Sequence, residues 1–544
     1  MGIGALNPGN YVEAVSDAVS IGDLTRAADL ATAALRDNLR HPAFFNARAL
    51  HLQEQGRLPE ALAEFQQALA FMPNDPTLLN AIGLCAVRAN RAQEGLAAFE
   101  RALAAQPDNP VTHFRKGWAH TSTGDPDAAR KSYERAVALK PDYAEALAAL
   151  ASIAAREEKP ELARDYAARS LAIDPAEPTA IIALAMVENA AGEYAKAEAL
   201  IREEMKDKRA IGHTRGVLLG FLGDALDGQG RTADAFAAYT AKGTEFRRLH
   251  EARLGHIPSA TKMMGSLAAY LESTPAERWK AGAMPKAVVQ GPREHVFLLG
   301  FLRSGTTLLE RILDMHPDVV NLEERDTLTS LSQQFMTVPT GLDRLAALEG
   351  RALDEARESY WRGVRAFGIE PEGKVFIDKQ PLNTFNLPLI AKLFPEAKIL
   401  FAVRDPRDVL FSCFRRHFEV NPVMYEFLDL VSGAHFYDAV MNVGEIGRAK
   451  LPLTLLEHRY EDMIEDFDGR VRAVCDFLNI DWTDSMRDFS SKARETAIRS
   501  PSAAQVRRPL YGEGVGQWRR YAAEFAPAQP ILARWIERFG YQTD

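Results

Sequence analysis

Prolines stand at Pro73, Pro107, Pro141 and Pro175, each 34 residues after the one before. A fixed period of this length restricts a chain to stacked copies of one small unit. Other columns keep the same period. Gly56, Gly124 and Gly192 share a phase, with Asn90 and Glu158 in the gaps. Ala61, Gly95, Ala129, Ala163 and Ala197 form a second column. Phe65, Phe99 and Tyr133 form a third, and Ala68, Ala102 and Ala136 a fourth. Each column has a physical task. The Gly or Asn ends a first helix in the left-handed conformation at low cost. The small residue lets two helices approach, the aromatic fills the space between units, and the proline stops the second helix.

This pattern resembles the tetratricopeptide repeat. Gly22, Ala27 and Ala34 suggest an earlier copy, and Gly230, Ala235 and Tyr239 a later one. The expectation is an all-α solenoid of about seven helix pairs across residues 8–243. Such solenoids bind peptides or proteins along a concave face, so a protein or peptide partner is expected for this arm. Trp118, Tyr133 and Tyr194 read as core. Residues 244–290 break the period. EFRRLHEARL has helical spacing, while HIPSAT and AGAMPKAVVQGPRE carry the Gly and Pro of a boundary, so this stretch reads as a helical cap and linker.

A chain of 544 residues is too long for one core, so residues 291–544 are expected to form a second domain. A net charge of −9 argues against nonspecific nucleic-acid binding as the main role. Cys85, Cys413 and Cys475 form no CxxC pair, which speaks against a zinc cluster or disulfide framework. They read as buried free thiols, suited to a reducing compartment, and a cytoplasmic location is expected. No run of about 18 apolar residues predicts a membrane span, and MGIGALNPGNYVEAV lacks the pattern of a signal peptide.

From residue 296 the pattern changes. Val296–Leu299 reads as a buried parallel strand. The segment Gly300-Phe-Leu-Arg303-Ser304-Gly305-Thr306-Thr307 follows, and then Leu308, Leu309, Ile312 and Leu313 recur at helical spacing up to His316-Pro317. Strand, glycine loop and helix make a phosphate cradle of N–H groups. The loop nearly spells GxxxxGK[ST], but Thr306 stands where the lysine for a nucleoside triphosphate belongs. Arg303 supplies positive charge from elsewhere in the loop. A second anion site is expected after the strand-like run 399–403. There Arg404, at a strand end, and Ser412, on the following helix, converge on one anion. Arg416, four residues further, is expected on the same helix face. Val375–Ile377 and 453–456 read as further strands. Alternating strands and helices predict an α/β domain with a parallel sheet, its ligands outside the carboxyl ends of the strands.

The RSGTT loop, LLERILDMHPDV and the pair Glu323-Glu324 resemble the sulfotransferase family, and most of all the tyrosylprotein sulfotransferases. The resemblance spans about residues 290–540. It implies a P-loop-like sulfotransferase domain, with PAPS (3′-phosphoadenosine-5′-phosphosulfate) as sulfate donor, PAP as product and no metal. By resemblance Arg303, Ser304, Gly305, Thr306 and Thr307 bind the 5′-phosphosulfate. Arg404 and Ser412, with Arg416, hold the 3′-phosphate. Glu324 is the base, with Glu323 as the fallback. Lys379, in Asp378-Lys379-Gln380-Pro381, stabilises the leaving phosphate, although Gln380 replaces the family's usual Asp. Tyr460 lies near the nucleotide. Ser502 sits near the reacting group and Arg508 binds the donor, where the tyrosylprotein enzymes usually carry Lys. His316 reads as a capping or packing residue.

These residues point to a PAPS-dependent sulfotransferase acting on an acceptor hydroxyl. One alternative is a repeat scaffold with a degenerate transferase domain. Another is a P-loop kinase, against which the absent lysine argues. The acceptor stays open among a tyrosine in a peptide or protein, a sugar, a lipid and a small phenol, and so does the oligomeric state.

Overall fold

The computed structural model describes residues 8–206, 211–279, 291–491, 512 and 514–542. The chain forms two compact units, Met1–Ala210 and Ile211–Asp544. The first is a run of antiparallel helix pairs, from Pro8–Ser20 with Leu24–Arg36 to Pro178–Ala190 with Tyr194–Lys206. The expected turn column is present in the backbone. Gly56, Asn90, Gly124, Glu158 and Gly192 have φ of 75°, 60°, 72°, 59° and 80°. The period therefore holds even where the residue is not glycine. The second helices end at Phe71, Ala105, Leu139 and Ile173, two residues before the four prolines.

A further column sets how the helices pack. Gly83 and Gly117, also 34 apart, lie under the aromatic rings of the same repeats. A Cβ at Gly117 would come within 2.6 Å of the Tyr133 ring, and one at Gly83 within 2.5 Å of Phe99. First helices start on Pro42, Pro76, Pro110 and Pro178, where the missing N–H costs nothing. Asp75 and Asn109 cap two of them through the N–H of Leu78 and Thr112.

The second unit opens with another helix pair, Gly212–Gly228 and Thr232–Leu254, followed by Ala260–Ser273. Its centre is a sheet of five parallel strands: β1 (Glu294–Gly300), β2 (Val319–Asn321), β3 (Val375–Lys379), β4 (Lys398–Val403) and β5 (Thr454–Arg459). The order is β2-β3-β1-β4-β5. The strands at 296, 375, 399 and 454 were expected. The short edge strand β2 was not, because three residues after a Pro give no periodic signal. One face, with Val296, Leu298, Ile377 and Leu400, packs on the helices Thr306–Leu313 and Phe467–Leu478. On the other, Phe297 and Phe376 meet Tyr360, Trp361 and Phe394. No helix among the described residues is long and apolar enough to cross a membrane.

The repeat geometry predicts that Gly117→Ala forces Tyr133 off its seat and destabilises the first unit by about 1–3 kcal/mol, the usual cost of overpacking. A urea midpoint followed by far-ultraviolet circular dichroism measures this. An unchanged midpoint would mean that the pair opens freely.

Candidate active site

β1 and β4 are neighbours, with Gly300 opposite Ala402. A Cβ on Gly300 would lie 2.4 Å from the Ala402 carbonyl oxygen, so only glycine lets the two strand ends approach this closely. Thr384 fixes the same point by donating its hydroxyl to the Gly300 carbonyl at 2.6 Å. The loop after Gly300 and the residues after Val403 therefore leave the sheet side by side.

In the loop, Arg303 takes a left-handed conformation (φ 65°), uncommon for a residue with a side chain. Its Nε donates to Ser412 Oγ at 3.0 Å. Ser304, Thr306 and Thr307 are buried, the threonines in the first turn of Thr306–Leu313. Gly305 precedes that turn with φ 92°. A Cβ there would meet the Tyr460 ring at 2.6 Å, so Tyr460 forms a floor under the loop. The Arg404 guanidinium lies 4.9 Å from the centre of the same ring. It donates to the Arg303 carbonyl at 3.0 Å and to the Gly514 carbonyl. Its Nε is buried with no hydrogen-bond partner.

Neither acid beside Arg404 in sequence takes it as an ion-pair partner. Asp405 pairs with Arg407 at 2.8 Å, and Asp408 accepts the N–H groups of Gly516 and Trp518. Burial, and then the neighbouring cations Arg416, Arg404 and Arg415, pull the Arg303 guanidinium down to about 9. Crowded cations and an orphaned guanidinium N–H fit an anionic ligand, which would relieve the repulsion and fill the missing bond. Arg416 corrects one expectation. The helix stops at Arg415 and Arg416 is extended (φ −71°, ψ 152°), so it lies past the helix end and does not share the helix face of Ser412.

A second group lies at the end of β3. Lys379, its last residue, is 1% exposed. Its Nζ is 2.6 Å from Glu324 and 3.4 Å from Glu310. Glu323 turns away on a left-handed backbone and pairs with Arg311. The acidic pair is thus split, with Glu324 on Lys379 and Glu323 on Arg311. Glu310 was missed by sequence reasoning. Its signal was an acid amid the apolar stripe Leu308, Leu309, Ile312 and Leu313. It is fully buried, and burial pushes its carboxyl up against the pull of Lys379 and Arg311. His316 holds a turn, its Nδ1 accepting the Asp318 N–H at 3.0 Å. Ser502 and Arg508 lie outside the described residues.

The model of the sulfotransferase family matches residues 295–484, and that of the tetratricopeptide repeat matches 12–77, 46–110 and 114–178. The chain carries tetratricopeptide repeats and a sulfotransferase-family domain. A protein of Aquifex aeolicus, described as uncharacterized, is 26% identical over 256 residues, 45% of this chain and 33% of that one. The match thus spans only a third of that relative's length. Protein-tyrosine sulfotransferase 1 of Danio rerio is 25% identical over 260 residues (45% of this chain, 72% of that one). Protein-tyrosine sulfotransferase 2 of Gallus gallus is 26% identical over 262 residues (44% and 68%). A solved tetratricopeptide repeat protein of Parabacteroides merdae is 16% identical, covering 44% of this chain and 93% of that one. Its TM-score is 0.38.

In the sulfotransferase domain the Lys379 strand is anchored by a buried polar chain. His295 Nε2 lies 3.1 Å from the Tyr360 hydroxyl, which donates to Asp378 Oδ2 at 2.8 Å, and Thr327 donates to the same oxygen at 3.2 Å. Burial pushes the Asp378 carboxyl up to about 7 and the His295 imidazole down to about 3. A raised carboxyl keeps its proton in the folded state between about pH 4 and 7, where the unfolded chain has lost it. Stability from this group is therefore full at low pH and falls as pH rises through that window. Asp378→Asn removes the dependence. The stability of the variant relative to wild type, from urea titrations, should rise across pH 4–7 by on the order of 3 kcal/mol. A constant difference would mean that Asp378 stays ionised throughout.

Proposed function

We propose that the second unit is a PAPS-dependent sulfotransferase that acts on an acceptor hydroxyl. The observation that carries this reading is the Arg303–Ser412–Arg404 cluster beside the Lys379–Glu324 pair, at the carboxyl edge of β1, β3 and β4. PAPS supplies an activated sulfuryl group on a phosphate and a 3′-phosphate that ATP lacks. In this reading Ser304, Gly305, Thr306 and Thr307, with Arg303, hold the 5′-phosphosulfate at the helix N-terminus. Arg404 and Ser412 take the 3′-phosphate, with Arg416 adding charge, and Tyr460 backs the loop. Ser502 and Arg508 belong to the same proposal from their sequence positions.

Glu324 takes the acceptor proton. A carboxylate serves as base once it is released from its cation, so Lys379 must leave Glu324 and turn to the charge that grows on the leaving phosphate oxygen. Glu310 keeps a carboxyl beside Lys379 when Glu324 becomes protonated. The partial exposure of Glu324, 23% against 1% for Lys379, supports Glu324 as the group that meets the acceptor.

The likeness to protein-tyrosine sulfotransferases supports a tyrosine hydroxyl of a polypeptide as acceptor, and the repeat arm supports a protein or peptide partner. Three free, buried cysteines support a reducing, cytoplasmic setting. The test is transfer of labelled sulfate from PAPS to a panel of tyrosine peptides, with sugars and simple phenols alongside. Glu324→Ala should lower transfer by about 10²–10⁴-fold, the range of a lost general base, and leave PAP affinity within about threefold. Equal loss of PAP binding would make Glu324 a structural residue, and transfer to sugars alone would overturn the polypeptide acceptor.

A further inference from the structure

The helix pair Gly212–Gly228 and Thr232–Leu254 opens the second unit, and two of its charged residues lead to the donor cluster. Lys242 is 1% exposed. Its Nζ donates to the carbonyl oxygens of Phe414 at 2.6 Å and Arg416 at 3.0 Å. These carbonyls close the helix Pro406–Arg415, which carries Ser412. The last carbonyls of a helix have no partner within it, and a cation there also meets the negative end of the helix dipole. Arg416 is extended, so the segment after the helix does not close it with a left-handed residue at that position. Lys242 supplies the closure instead.

Burial pulls the Lys242 ammonium down to about 7, and among the described residues no carboxylate is hydrogen-bonded to it. Its acidic neighbour Asp224 accepts the Tyr239 hydroxyl at 2.8 Å. An apolar side chain would fill this space at less cost. The contact is also close-set, since a Cβ on the adjacent Gly243 would fall 2.0 Å from the Leu428 carbonyl oxygen.

Asp227, at the end of the first helix of the pair, grips the other flank. It accepts from the Arg520 guanidinium and the Tyr521 hydroxyl, and lies 3.7 Å from Arg415. The turn Gln517–Tyr521 follows directly on Gly514, whose carbonyl receives Arg404, and Gly516, whose N–H holds Asp408. Ser412 is therefore tied through Lys242, and Arg404 through Asp227, to one helix pair.

Building on the proposed donor site, we propose that Lys242 and Asp227 are positioning residues, through which this repeat-like helix pair sets Ser412 and Arg404 for the 3′-phosphate of the nucleotide. The two residues touch no ligand themselves. They fix the ends of the segments that do.

The test compares PAP with AMP, which lacks only the 3′-phosphate, by calorimetry on the full chain. Lys242→Met should weaken PAP by about tenfold or more, the scale of a lost charged hydrogen bond, and leave AMP within about twofold. Lys242→Arg, which keeps the cation and its donors, should restore most of the preference. Asp227→Asn gives the same reading from the other flank if Lys242→Met does not fold. A PAP-to-AMP preference unchanged in the variants, with both ligands equally weakened or neither, would overturn the inference and leave the donor site standing. No PAP binding by folded wild type would overturn the donor site itself.

Discussion

The approach of β1 to β4 at Gly300 and Ala402 is the constraint on which the site depends. Strands in a parallel sheet can end side by side, but here the chain must also turn sharply at both ends to leave room for a ligand. The missing Cβ at Gly300 allows the contact, and Thr384 pins it. Everything downstream inherits this geometry. Arg303 reaches Ser412 across the gap, Arg404 reaches back to the Arg303 carbonyl, and Tyr460 closes the floor. Three segments far apart in sequence thus converge without any one of them being long. The arrangement stores electrostatic cost. Burial and the neighbouring guanidinium groups of Arg416, Arg404 and Arg415 disfavour the charge on Arg303, a cost that an arriving anion offsets.

The catalytic candidates show the opposite arrangement. Lys379 is fully buried between two carboxyls, one on the apolar stripe of the first helix and one in the loop after β2. A buried ammonium with two partners still has one carboxyl beside it when the other changes its protonation state. The polar chain His295–Tyr360–Asp378–Thr327 holds the strand that carries it. The site therefore sets a cluster rich in guanidinium groups, suited to binding an anion, beside a lysine held between two carboxyls, suited to moving a proton.

Much of this was legible in the sequence, for physical reasons. The 34-residue period fixed the helix pairs, because identical packing demands identical small and aromatic residues. The four main strands were visible as apolar runs at 296–299, 375–377, 399–403 and 453–456, and the strands themselves end at Gly300, Lys379, Val403 and Arg459. Arg303, Ser412 and Arg404 were named from motif spacing and Tyr460 from the family resemblance, and the structure brings them together. What stayed hidden depends on contacts between distant segments. Glu310 looked like one more helix residue until Lys379 was placed above it. Lys242 was not singled out, because nothing in its own neighbourhood announces that its amine meets the end of the helix of Ser412. The position of Arg416 was misread since the sequence does not mark the helix end after Arg415. Asp378 was read only as a neighbour of Lys379, and its partners Tyr360 and Thr327 come from 18 and 51 positions away.

The claim at the centre is that the cation cluster holds a nucleotide with a 3′-phosphate. A calorimetric titration of the full chain with PAP tests it most directly, with ATP as comparator and Arg404→Ala as control. The account predicts that PAP binds, that ATP binds at least about tenfold more weakly, and that Arg404→Ala loses at least about tenfold in PAP affinity, the scale of a buried charged hydrogen bond. Folded protein that binds no PAP, or that binds ATP equally well, would contradict it.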